Sequence, residues 1–242
     1  MDLPSQLRSS ILAASLPAPS ATFVASLVQS RNPPLPLPSL LATARSRILA
    51  CDLSSNALLD TVSLAALPAN LSNAAIKEVR LPLDVHVQVL DVENLGVSRW
   101  DQIEEIEAIE RGERTRGREI VRIIDDDNGQ EGVSQTQQQR APAADAARSA
   151  GKAATHRLVL QDCRGQKVFA LELHRIDKIG VGRTMIGEKI LVKAGAVVAR
   201  GTVLLTPDNC VLLGGKIDAW QKSWVDGRLT RLKEALSTTR GA

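Results

Sequence analysis

Residues 201–218 read GTVLLTPDNCVLLGGKID, and the reading of the fold turns on them. Two apolar runs flank Thr-Pro-Asp-Asn, where Pro fixes φ and Asn accommodates a turn. The second run stops at Gly214 and Gly215, followed by Lys216. Two readings compete, a phosphate-binding loop and the last corner of a small barrel. A phosphate loop needs an upstream glycine and a Lys-Ser/Thr pair, so that backbone amides and an ammonium surround the anion. GGKID has neither, so the glycines read as a tight turn from the last strand into a helix.

Working downstream, Ile217, Trp220, Trp224, Leu229, Leu232 and Leu236 recur mostly three or four apart, which predicts one amphipathic helix over 218–237. Upstream, RLVLQD and KVFALEL flank Cys-Arg-Gly-Gln as a hairpin, and EKILVKAG supplies another strand. Earlier still, Leu83, Val85, Val87 and Val89 alternate with Asp84, His86, Gln88 and Leu90, a strand with one face in a core and His86 on the outward parity. The link DKIGVGRTMIG contains GRTMIGEK at 182–189, which approaches a phosphate loop but sets Glu188 where the lysine should follow Gly187. No strand-to-helix crossover surrounds GVGRTMIG, so it fails as a dinucleotide fingerprint too.

The first 78 residues have a different period. Leu7, Ile11 and Leu12, then Phe23, Val24, Leu27 and Val28, then Leu40, Leu41, Ala44, Ile48 and Leu49 mark helices, and Leu58, Leu59, Val62 and Leu64 a further one. LPAPS and NPPLPLP punctuate them, since proline stops a helix. Between the first strand and the hairpin lies an insertion over 95–155. It begins as a helix with Trp100, Ile103, Ile106 and Ile109 three apart, and residues 125–155 have the polar, low-complexity composition of disorder.

The expected architecture is α+β. An N-terminal helical bundle (1–78) precedes a five-stranded OB-fold barrel (79–242), with a long insertion after the first strand and a C-terminal helix. An SH3-like barrel is the nearest competitor.

Composition narrows the function. The net charge of +3 divides into +2 over residues 1–80, −6 over 81–155 and +7 over 156–242. A basic C-terminal third favours a polyanion, yet the chain has no Tyr, two Phe and three Trp. OB-folds that hold single strands stack bases on aromatic platforms, each worth about 1–3 kcal/mol. A protein-interaction barrel is therefore the better physical reading, with direct binding of single-stranded or junction DNA by the basic third as the alternative. Cys51, Cys163 and Cys210 stand far apart without a C-x-x-C, as in reduced thiols of the cytosol or nucleus. His86, His156 and His174 share no metal-ligand spacing, and Asp125, Asp126 and Asp127 lack the alternation of a calcium loop. No nucleophile elbow or other catalytic signature appears. The chain reads as a non-enzyme without catalytic, cofactor-binding or metal-binding residues, without a membrane span or signal peptide, and without a small-molecule substrate.

EKILVKAGAVVARGTVLLTPDNCVLLGGKIDAWQKSW closely resembles the signature of the RecQ-mediated genome instability protein family, first subunit, G-x-LLL-x-P-x-N-x-x-x-LGG-x-(V/I)-(D/E)-A. Gly201, Leu204, Leu205, Pro207, Asn209, Leu213, Gly214, Gly215, Ile217, Asp218 and Ala219 fall on that pattern. The helical start, the entry VRLPLDVHVQVLDVENLGVS and the long insertion are arranged as in the family, and the length resembles its compact fungal form, without a second OB-fold. The resemblance implies a non-catalytic subunit of a RecQ-type helicase complex with topoisomerase III, a type IA enzyme. It also implies dissolution of double Holliday junctions without crossover, an insertion that favours the open topoisomerase gate, and a nuclear location. Trp100, Ile103, Ile106, Arg111, Arg114, Arg116 and Arg118 are the expected contacts to that gate, since aromatic and arginine anchors dominate interface energies. DNA contact is expected to be weak and auxiliary.

Overall fold

The computed structural model describes residues 2–30, 33–55, 57–113 and 154–240. They form two compact units, Met1–Leu95 with Thr155–Asp226, and Gly96–Ala154 with Gly227–Ala242.

The larger unit begins with three helices, α1 (Leu3–Ala13), α2 (Ala21–Gln29) and α3 (Leu37–Ala50). Pro stands in the first turn of α1 and α3, where a missing N–H costs nothing, and Ser20 caps α2 by accepting the Phe23 amide. Leu7, Ile11, Phe23, Val24, Leu27, Leu40, Ala44 and Ile48 form one buried cluster, as the helical period requires. The expected fourth helix at 58–64 is absent. Leu59 instead makes an isolated bridge with Pro19 and Asp60 caps a turn by accepting from Ser63, which leaves Val62 90% exposed. Its leucines anchor turns to the bundle, and a short apolar run fits that role as well as a helix.

The strands are β1 (Glu78–Arg80), β2 (Val85–Asn94), β3 (His156–Asp162), β4 (Lys167–Glu172), β5 (Lys189–Val192), β6 (Val197–Ala199), β7 (Thr202–Leu205) and β8 (Cys210–Gly214). They make one mixed sheet of eight strands, ordered β1-β6-β7-β4-β3-β2-β5-β8, in place of the five expected. The additional members are short, β1 and β6 being three residues each, and the two runs around TPDN are separate strands. β7 pairs parallel with β4, while all other pairings are antiparallel.

The strand order requires the sheet to curl. β7 and β8 lie five strand intervals apart, about 24 Å in a flat sheet. Four residues join them, which reach about 18 Å at full stretch, and they are themselves folded, with the Asn209 amide donating to the Thr206 carbonyl. Only a curled sheet brings the two ends within that reach. Its interior holds Leu81, Val85, Val87, Val89, Leu158, Leu160, Val168, Ala170, Ile190, Val192, Val203 and Leu205. β5 is buried on both faces because Leu191 joins the helical cluster instead. Leu83 stays 61% exposed and lies outside the strand predicted for it.

The predicted C-terminal helix is divided. α5 (Asp218–Asp226) closes the larger unit and α6 (Arg228–Arg240) belongs to the smaller one, with Gly227 between them. In the larger unit Trp220 and Trp224 pack against the barrel interior, and the Trp224 indole donates to Asp91 at 2.6 Å. The smaller unit pairs α6 with α4 (Arg99–Glu110).

Candidate functional site

The corner at the end of β8 is a structural joint. Gly214 and Gly215 have φ of +86° and +91°, a region that favours glycine. A Cβ on Gly215 would stand 2.3 Å from the Leu49 carbonyl oxygen, so the end of β8 can lie against α3 only without a side chain. Gly201, at φ +80°, is pressed in the same way against the Ser72 carbonyl. Asn209 fixes the linker, accepting the Thr206 amide at 2.9 Å and donating to the Leu204 carbonyl at 3.0 Å. Pro207 is exposed in that turn, Leu205 and Leu213 are buried, Leu204 is half-buried, and Asp218 opens α5 and pairs with Lys216. The glycines are thus a turn into a helix, with Ile217 continuing it.

Lys216 of the first loop is exposed, whereas the lysine of the second loop considered for phosphate is internal. Lys189 is 0% exposed and donates to the Gly187 carbonyl at 2.6 Å. Burial pulls its pKa down to about 8, against the opposing pull of Cys51 and Asp52. Beside it Gln88, also buried, donates to Asp52 and Gln161 and accepts the Leu53 amide. His86 reaches the Ser15 carbonyl at 2.9 Å and is half-buried rather than on the surface, and burial lowers its pKa. The alternation holds from Val85 to Val89, though not at Leu83, and the helical region covers the outward face of β2 at His86.

A second buried polar group joins β3 to β4. Glu172 accepts from the His156 ring at 2.7 Å, from Arg175 at 2.8 Å and from the Ile176 amide at 3.0 Å. Burial alone would raise this carboxyl, but hydrogen bonds from His156, Ile176 and Arg175 outweigh it and lower the pKa. Every bond ends on a structural partner. Among the described residues no group of three or more His, Cys, Asp or Glu could hold a metal ion.

The groove with room for a partner lies in the smaller unit. Ser98 starts α4 by accepting the Asp101 amide and donating back to its carboxylate at 2.7 Å. Trp100 and Ile103 then fall one turn apart, facing Leu236 of α6 across a cavity of about 620 Å³. Glu104, Glu107, Arg111, Lys233 and Ser237 complete its lining. Lys233 bonds Glu107 at 2.7 Å, which holds that carboxyl below its ordinary value. Arg111 is committed to Glu113 at 3.1 Å and lies 3.8 Å from Glu107.

These positions sort the expected contacts. Trp100 is 60% exposed on the groove rim, Ile103 is buried in its floor, and Ile106 is half-buried without lining it. Arg111 lines the groove through its ion pairs. Arg114, Arg116 and Arg118 lie outside the described residues, as does most of the stretch 125–155 expected to be disordered; its last two residues are ordered, Ala154 being buried and Thr155 accepting the Leu95 amide ahead of β3. The opposite wall was missed: Leu236 was visible as a periodic apolar residue, but nothing in the sequence pairs Glu107 with Lys233, 126 positions away.

A helical region packed on a curled mixed sheet defines a helical plus OB-fold architecture. Residues 67–228 match the family described as "RMI1, N-terminal OB-fold domain", and residues 12–55 match "RMI1, N-terminal helical domain". The chain is 31% identical over 170 residues to "RecQ-mediated genome instability protein 1" of Schizosaccharomyces pombe, covering 67% of this chain and 68% of that protein. The chain belongs to the RMI1 family.

Proposed function

We propose that the protein is a non-catalytic subunit of a RecQ helicase and topoisomerase III complex. In it the helix pair of the smaller unit docks on the type IA topoisomerase and favours its open gate. Decatenation and the dissolution of double Holliday junctions in the nucleus follow from that action. The observation that carries the reading is Trp100, more than half exposed over an apolar cavity on the insertion that opens with α4. An indole so placed gains most of its burial only when a partner arrives. Family membership supports the class, and the name of the fission-yeast relative supports the RecQ link.

The test is co-elution of the cognate topoisomerase III with the full chain and with a variant in which residues 97–154 are replaced by a short Gly-Ser linker, each sample being assayed for decatenation. The full chain is expected to bind and stimulate, and the variant to lose stimulation. Absence of association for the full chain at micromolar concentration would remove the proposal.

A further inference from the structure

The outer face of the barrel carries a second groove, in the larger unit. Strand alternation sends Leu158 and Leu160 of β3, Val168 and Ala170 of β4, and Val203 and Leu205 of β7 inward. The intervening residues face out, and the register aligns them in rows, Val159–Phe169–Thr202 and Arg157–Leu171–Leu204. Phe169 is 48% exposed in the middle strand, with the Arg157 guanidinium 5.1 Å from its ring centroid and Arg157 itself paired with Glu93. Around Phe169 lies a cavity of about 460 Å³ walled by Ser72, Ala74, Lys167, Arg200 and Gly201.

Two observations give this groove a charge preference. No acidic residue lines it, and among the described residues neither Lys167 nor Arg200 takes part in an ion pair. Arg200 and Gly201, at φ +47° and +80°, are the two-residue turn of the β6–β7 hairpin, which requires positive φ at both positions and so sets the Arg200 side chain at the groove rim. Its guanidinium is anchored only to the Ala74 carbonyl, at 3.4 Å. Neighbouring Gly201, against Ser72, keeps the groove wall close.

We propose that this groove docks an extended acidic peptide of a partner protein. An aromatic or leucine side chain packs on Phe169 and Val159, and a neighbouring carboxylate lies between Lys167 and Arg200. Counting β2 as the first strand of a five-stranded OB barrel, β3 and β4 are its strands two and three, the face OB-folds use for ligands, but its furnishing disfavours a nucleic-acid strand. It has one aromatic platform where a strand needs several, and its floor is otherwise aliphatic. The proposal is independent of the topoisomerase reading, because its residues are not those of the groove beside Trp100.

Fluorescence anisotropy on the full chain tests it. The probes are a short labelled peptide alternating Asp with Phe, the same peptide with Phe replaced by Ser, and a labelled oligothymidine. Saturable binding of the Asp-Phe peptide is expected, weakened about tenfold by Phe169→Ala and by Lys167→Glu, with unchanged unfolding midpoints. Arg200→Gly distinguishes use from architecture, since it relieves the backbone: the midpoint should rise while peptide affinity falls. Equal binding of the Ser peptide, binding insensitive to all three substitutions, oligothymidine binding in preference to the peptide, or no binding at millimolar concentration would each overturn the proposal.

Discussion

The corner at Gly214–Gly215 and the groove beside Trp100 use the same kinds of residue to opposite ends. At the corner, Leu213 and the tryptophans of α5 are packed, Lys189 is sealed on the Gly187 carbonyl, and the Trp224 indole ends on the Asp91 carboxylate. At the groove, Trp100 is open to solvent, and the ion pairs of Glu107, Lys233 and Arg111 are partly exposed, where such pairs contribute little. Sequence pattern is dense where backbone must approach backbone. It is sparse where the protein is free to meet something else. The residues that mark the family here are therefore the ones that build the joint.

Substitutions should separate the two regions. The largest effect is expected from Gly215→Ala, which adds a backbone strain to a collision with Leu49 and should cost about 4 kcal/mol in denaturant unfolding. A loss below about 1 kcal/mol would mean that α3 can move away from the corner. Next, Glu172→Gln leaves His156 and Arg175 without their buried charge partner and should cost about 3 kcal/mol. Wild type should itself lose this contribution on acidification. The Glu172 pKa is lowered in the folded state, so the stability present above the ordinary value of 4.5 disappears as pH falls through the folded one.

Lys189 gives the opposite sign. Its folded pKa of about 8 lies below the ordinary 10.5, so between them the unfolded chain binds more protons and stability rises with pH. Burial raises Cys210 from 9.0 to about 12 and raises Cys51 and Cys163 as well. Above pH 9 those thiols stay protonated in the folded chain and reverse the slope. From pH 8 to 9 Lys189 alone adds about 1 kcal/mol, which the ionising thiols of the unfolded chain already offset in part; above pH 9 stability should decline, and Lys189→Met should remove the rise. The smallest effect belongs to the groove: Lys233→Ala, which removes the pair with Glu107, should leave the thermal midpoint unchanged.

Much of the joint was legible. The change from helical to alternating period places the end of the bundle before β2, and the hairpin is announced by its turn, where Asp162 collects the Arg164 and Gln166 amides. The paired glycines and Trp220 and Trp224 give the last corner. What escaped depended on pairing across the chain. β1 and β6 are too short to show alternation and exist because each completes the other. Lys189 is buried beside Cys51 and Asp52, well over a hundred positions away, and nothing in its own stretch announces that. Trp100 and Ile103 were legible as a helical stripe, but the cavity between them and Leu236 needed the partner helix.

The proposed docking of a type IA topoisomerase on the Trp100 groove can be decided at one side chain, by calorimetric titration of the cognate topoisomerase III with the full chain and with Trp100→Ala. Because the indole is exposed, the variant should keep the wild-type unfolding midpoint and lose about 2 kcal/mol of binding, roughly thirtyfold in Kd. Equal affinities for the two chains would contradict the claim and assign the groove to another purpose.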